Sequence, residues 1–141
     1  MTKTVLVAVD LAHREDQAAL LKRAEQMADL DGATLAVVTV LPDFKMSMVS
    51  TFFSDQHTHD MAEETRKALH AFVLETLGHD DDVKHIVRMG NVYEEVLQTA
   101  KELGADLIVV GAHRPDLADY LMGPNAARVA RHAKCSVLIA R

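Results

Sequence analysis

The stretch Leu107–Arg141, LIVVGAHRPDLADYLMGPNAARVARHAKCSVLIAR, decides how this chain reads. Leu107, Ile108, Val109 and Val110 form an unbroken apolar run that stops at Gly111, the pattern of a parallel strand covered on both faces. After a loop to Met122, Gly123, Pro124 and Asn125 open a helix that carries Val129, Ala130 and Ala133 on one face. Proline there sits at its favoured first-turn position. The N–H groups at a helix start have no partner within the helix and carry partial positive charge, so a phosphate or carboxylate fits there. The chain then closes on a second apolar run, Ser136 to Ala140.

Working outward, 141 residues suffice for one ordinary core, and the expectation is a single domain over residues 1–141. An apolar content of 49% with 26% charged residues is that of a soluble globular protein, and no segment approaches the ~20 apolar residues of a membrane span. Met1-Thr2-Lys3-Thr4 runs straight into Val5–Val9 without the parts of a secretory signal, so a cytoplasmic location is expected. Cys135 is the sole cysteine, which rules out an internal disulfide and reads as a small buried hydrophobe. A net charge of −6 argues against nucleic acid, whose binding needs clustered Lys and Arg. Neither nucleic acid nor a membrane is therefore an expected partner.

Strand-like runs recur at Val5–Val9, Leu35–Leu41, Leu107–Val110 and Ser136–Ala140. Val83–Met89, mixed with Lys84 and Arg88, reads as an edge strand. Between them lie helical patterns. The first carries Leu20, Leu21, Ala24, Met27 and Ala28 and ends at Asp31-Gly32; the second runs from near Asp60 to Leu77, burying Met61, Thr65, Ala68, Leu69 and Phe72, and stops at Gly78. The third uses Val92, Val96, Ala100 and Leu103. This alternation is the α/β signature, and right-handed crossovers favour a doubly wound five-stranded parallel sheet in the order 3-2-1-4-5. Asp10 and Gly111 then end the two central strands, at the switch point where such sheets bind ligands. Ser136, Val137, Leu138, Ile139 and Ala140 would form an edge without charge before Arg141. Such an edge is a liability, so pairing with the same strand of a second copy across a two-fold axis is expected.

Asp10 after an apolar first strand, the glycine ending strand 4, Gly123 opening the last helix and a terminal apolar strand together resemble the universal stress protein family, over essentially the whole chain. The most specific part, Gly111–Arg141, looks like the branch of small bacterial members with an HRPD segment. The resemblance implies a five-stranded sheet of the adenine nucleotide alpha hydrolase-like kind with four helices, a homodimer through the last strand, and ATP binding. In ATP-binding members the phosphate region follows G-x-x-G-x(9)-G-[S/T]. An aspartate ending strand 1 lies near the adenosine, and strand-2 backbone lies near the adenine. Carried over by position, the resemblance implies Ala8, Val9 and Asp10 on the first strand, Thr39 and Val40 on the second, and Gly111, His113, Arg114, Gly123, Pro124 and Asn125 around ribose and phosphates. The expected ligand is ATP, ADP or AMP, with Mg.

Two residues depart from that pattern. Arg114 stands where the second glycine belongs, with one residue fewer before Gly123. Its guanidinium offers fixed donors to phosphate. Pro124 replaces a Ser or Thr and supplies neither hydroxyl nor N–H. Losing two donors to a charged group, at about 1.5 to 3 kcal/mol each, moves a micromolar site toward millimolar.

Each site residue also has a purely structural reading. Asp10 can cap the first helix. Gly111 can serve a turn and Gly123 a helix entry. His113 can be a hydrogen-bonded loop histidine, and Arg114 can pair with Asp116 or Asp119. His57, His59 and Asp60, and His79 before Asp80, Asp81 and Asp82, invite a metal but lack the spacing of a strong site, and no metal is expected. The apolar segment Phe44–Phe53 reads as a lid, an oligomer contact, or packing on the upper edge of the sheet.

Other chemistries fail on missing residues. No G-x-G-x-x-G follows strand 1, and neither G-x-x-x-x-G-K-[S/T] nor G-x-S-x-G occurs. A phospho-acceptor receiver would need acidic residues at strand ends 1 and 3, but strand 3 ends at Met89-Gly90. With no catalytic constellation, the sequence reads as a nucleotide-regulated binding module. The alternatives are a nucleotide-free partner-binding or structural module and, below that, a slow ATPase in which Asp10 or His113 places water or metal.

Overall fold

The computed structural model describes residues 3–42, 55–112 and 123–141. Five strands, β1 (Thr4–Ala8), β2 (Thr34–Pro42), β3 (Val83–Gly90), β4 (Leu107–Gly111) and β5 (Ser136–Ala140), form one sheet in the order β3-β2-β1-β4-β5. Every pairing is parallel. Four α-helices connect them: α1 (Arg14–Asp31), α2 (Asp55–Leu77), α3 (Val92–Leu103) and α4 (Ala126–His132). This is the doubly wound order expected from the sequence.

The continuous apolar runs follow from helices on both faces. Side chains alternate across a strand, so Val5, Val7, Leu35, Val37 and Val109 join Leu20, Leu21, Leu69 and Phe72 in one core beneath α1 and α2. Leu6, Ala8, Ala36, Val38, Ile108 and Val110 face the opposite way, onto Val96, Ala100, Ala126 and Val129 of α3 and α4. At the strands' amino ends, Asp106 accepts hydrogen bonds from the amides of Lys3 and Thr4 at 2.7 and 3.1 Å. Those bonds hold its carboxyl below the usual carboxylate range and help align β4 with β1.

Helix limits follow local chemistry. Gly32 closes α1 with φ of 63°, a left-handed cap that a β-carbon disfavours. Asn91 caps α3 by accepting from the Glu94 amide, as an Asx N-cap does. Three expectations are corrected. α2 begins at Asp55, not near Asp60; Leu69 and Phe72 are buried as read, Met61, Thr65 and Ala68 are half-buried, and Val73 is buried as well. Gly123–Asn125 form a 3-10 turn before α4, so Pro124 lies in that turn and not in the first α-helical turn. Ala130 is exposed and Ala126 takes its place beside Val129, because a helix this short lays only one narrow stripe on the sheet. Phe44–Phe53 lies outside the described residues. No helix among those residues is long and apolar enough to cross a membrane.

Candidate functional site

β1 leaves the sheet centre toward β2 on one side, and β4 toward β5 on the other, so their carboxyl ends diverge. The β1–β4 register ends at Val7 opposite Val109, whereas β1 stays paired with β2 to Ala8 opposite Val38. Val9 continues that edge, its amide donating to the Val38 carbonyl at 3.0 Å. On the far side Gly111 pairs with Ala140, and the Ala112 amide donates to the Ala140 carbonyl at 2.8 Å. Asp10 and Gly111 therefore follow the end of the β1–β4 pairing at the topological switch point, where doubly wound sheets open a ligand crevice.

Asp10 is extended, with φ −110° and ψ 106°, and its carboxylate accepts from the Ala12 amide at 3.0 Å. It caps the 3-10 turn Leu11–His13 that leads into α1, which is the structural role weighed above. Its own amide donates to Gln17 Oε1 at 3.0 Å. Gln17 is only 2% exposed, so the start of α1 is tied to the end of β1 through a buried side chain. Gln17 was missed as a site residue, although it falls one turn before Leu20 and Leu21 on the apolar face of α1, where a polar residue signals a buried bond.

Ala8 and Val9 are buried, as is Thr39, and Val40 is half-buried against the second core. Thr39 and Val40 continue β2 beyond its pairing with β1, still in register with Val87 and Arg88 of β3. Ala126, the first residue of α4, shares a core with Ala8 and Val110. The turn Gly123-Pro124-Asn125 enters the helix from that side, with Asn125 at φ −91° and ψ −14°. Ala8, Val9, Asp10, Thr39, Val40 and Gly111 thus come together at one end of three adjacent strands. His113 and Arg114 lie outside the described residues.

A cleft of about 530 Å³ adjoins this end on the α1 side, bounded by Asp16, Gln17, Arg23, Gly111, Ala140 and Arg141. Cys135 is half-buried and burial pushes its thiol up, which disfavours the thiolate. His79 is bonded on both sides, from Nδ1 to Asp82 and from Nε2 to Glu25 of α1. Those contacts make it a clasp between α1 and the turn before β3, with its pKa raised by Asp82 first and Glu25 second.

The model of the universal stress protein family matches residues 1–141. Universal stress protein G of Escherichia coli O157:H7 is 32% identical over 143 residues, covering 100% of both chains. Among solved structures, a universal stress protein from Archaeoglobus fulgidus in complex with dAMP aligns with a TM-score of 0.69 at 21% identity, covering 99% of this chain and 98% of that one. A universal stress protein in complex with cAMP aligns at 0.67 and 24% identity, covering 99% and 97%. Full-length agreement in sequence with one and in fold with the others leaves a single reading of the ancestry: the chain belongs to the universal stress protein family.

Proposed function

We propose that this chain binds an adenine nucleotide in the crevice between β1 and β4 and uses it as a regulatory ligand. The observation that carries the reading is the convergence of Asp10 and Gly111 at the switch point, with Thr39 and Val40 beside them and the start of α4 against the same strand ends. Two fold neighbours have been solved with cAMP and dAMP, which supports an adenine ligand. Asp10 would face the ribose, strand-2 backbone the adenine, and the Gly123-Pro124-Asn125 turn with His113 and Arg114 the phosphates, with Mg accompanying ATP. The HRPD segment beginning at His113 supports membership of the branch of small bacterial members. The proposed working form is a single-domain cytoplasmic homodimer joined through β5, and a protein partner reads the nucleotide state. No turnover is required of it.

A second reading rests on Pro124, which lacks both donors of the family's Ser or Thr. On that reading the chain is a partner-binding module without nucleotide. Calorimetric titration of nucleotide-stripped protein with Mg-ATP, ADP and AMP separates the two. Micromolar binding weakened by Asp10→Ala supports the first, provided circular dichroism shows the variant folded, because the lost cap alone costs about 1 kcal/mol of stability. Silence up to millimolar nucleotide overturns it in favour of the second. ATP turnover abolished in folded Asp10→Ala would revive the ATPase reading.

A further inference from the structure

Away from the crevice, α2 and the edge strand β3 bring three ligating side chains together. His70 lies on α2, Asp80 in the connection after it, and His85 on β3. His70 Nδ1 is 2.9 Å from Asp80 Oδ2. The His85 ring stacks on His70 with centroids 3.6 Å apart and planes inclined by 22°. One ligand atom from each of the three residues lies within 4.8 Å of the others.

His85 is the informative member. Its Nε2 is buried and has no hydrogen-bond partner among the described residues, while its ring is hydrogen-bonded to the Val83 backbone. With Nε2 unpartnered, that bond falls to Nδ1. With Nδ1 donating to the backbone, Nε2 is the acceptor nitrogen of the neutral ring and carries its lone pair. An imidazole that gives one N–H to a carbonyl and keeps the other nitrogen open is how proteins present histidine to a metal.

We propose that His70, Asp80 and His85 form a binding site for a first-row divalent transition metal ion, two imidazoles and one carboxylate leaving the remaining positions to water. The donor set suits zinc, nickel or cobalt and not calcium or magnesium, which take oxygen. The separation of His70 Nδ1 from Asp80 Oδ2 is close to the ~3.0 Å of adjacent octahedral ligands each about 2.1 Å from one ion, and a small opening reaches the ~3.4 Å of tetrahedral ones. In the metal-free protein a proton holds that pair together, and the ion takes its place. His70 and Asp80 have side chains 45% and 29% exposed, so solvent reaches the ion and the His70 ring has room to slide off the stack. Arg66, whose charge acts on His85, opposes the cation and weakens its binding. Bound metal would clamp the end of α2 to β3, independently of any nucleotide.

The adjacent group His79, Asp81 and Asp82 also brings ligand atoms close together, but both its ring nitrogens are already bonded. The test uses the full chain, stripped with chelator, at about pH 7.5, where imidazoles compete well for metal. Zn²⁺ is titrated by calorimetry and Co²⁺ by visible absorption. One equivalent should bind, with Co²⁺ ligand-field bands appearing. His85→Ala and Asp80→Asn should each weaken binding by more than about tenfold, the least that even loss of an outer-shell partner costs. His132→Ala, at the end of α4 on the opposite face of the sheet, should leave it within about twofold, as distant independent sites do. His70→Ala, a half-exposed helix position, serves in place of His85→Ala if that variant fails to fold. Metal lost in His132→Ala but retained in the other variants, equal binding by all of them, or no binding up to millimolar metal would each overturn the proposal.

Discussion

Asp10 holds the cap of the first 3-10 turn through its carboxylate and the buried Gln17 through its amide. Both bonds orient the rim of the crevice. Replacing Gln17 with Ala removes the acceptor of the Asp10 amide from a site only 2% exposed. The variant should lose about 2 kcal/mol, since a buried hydrogen-bond partner left unmet costs about 1–3. Urea unfolding should show a lower midpoint with an unchanged slope. Pro124 is the other residue on which the site turns. Pro124→Ser restores one hydroxyl and one N–H, and ATP affinity measured by calorimetry should rise about ten- to a hundredfold if donors limit binding. Unchanged affinity would mean that the phosphates do not meet this turn. Asp10 could be singled out from sequence because it ends an apolar strand, and Pro124 because it departs from the Ser or Thr of the family the chain resembles. Gln17 could not be assigned a partner, because its bond depends on how α1 returns over β1.

Among the elements, the join of α1 to the turn before β3 rests on His79 between Glu25 and Asp82. Its pKa is raised by those contacts above the ordinary 6.5. A raised histidine contributes stability that is fully present below its unfolded pKa and is lost as pH rises through the folded one. His85 has the opposite sign, because its lowered pKa makes the neutral ring native and removes stability as pH falls below the ordinary value. The difference in urea midpoint between the wild type and His79→Ala should therefore be present near about pH 6 and shrink by about pH 9. A difference independent of pH would assign the effect to packing. The strands were legible mostly as unbroken apolar runs and the helices as a period of 3.6, because each apolar residue reports its own burial. The start of α2 and the stripe of α4 were misread, since polar Asp55–His59 carry no apolar rhythm and two turns are too few to define a face.

For the molecule as a whole, β5 is an edge with Ile139 40% exposed and the half-buried Val137 and Leu138 beside it. If that edge pairs with its copy, a lysine there should prevent it, as charged edges do elsewhere. Ile139→Lys should turn a dimer into a monomer in sedimentation equilibrium at micromolar protein, with nucleotide affinity unchanged. A monomeric wild type would remove the dimer. The strand order, the switch point and the family could be read from the chain, because alternating apolar runs and right-handed crossovers leave few ways to wind a parallel sheet. Polar contacts made by tertiary packing could not. The pairing of Asp10 with Gln17, the clasp of His79 on Glu25, and the stack of His70 on His85 join residues whose types announce nothing at their spacing. Composition and periodicity therefore determined which segments lie inside. Only the packing of α1 and α2 on one face of the sheet decided which polar groups meet, because the distance between them is set by the fold, and where one is buried, as Gln17 is, it must find its partner in the protein.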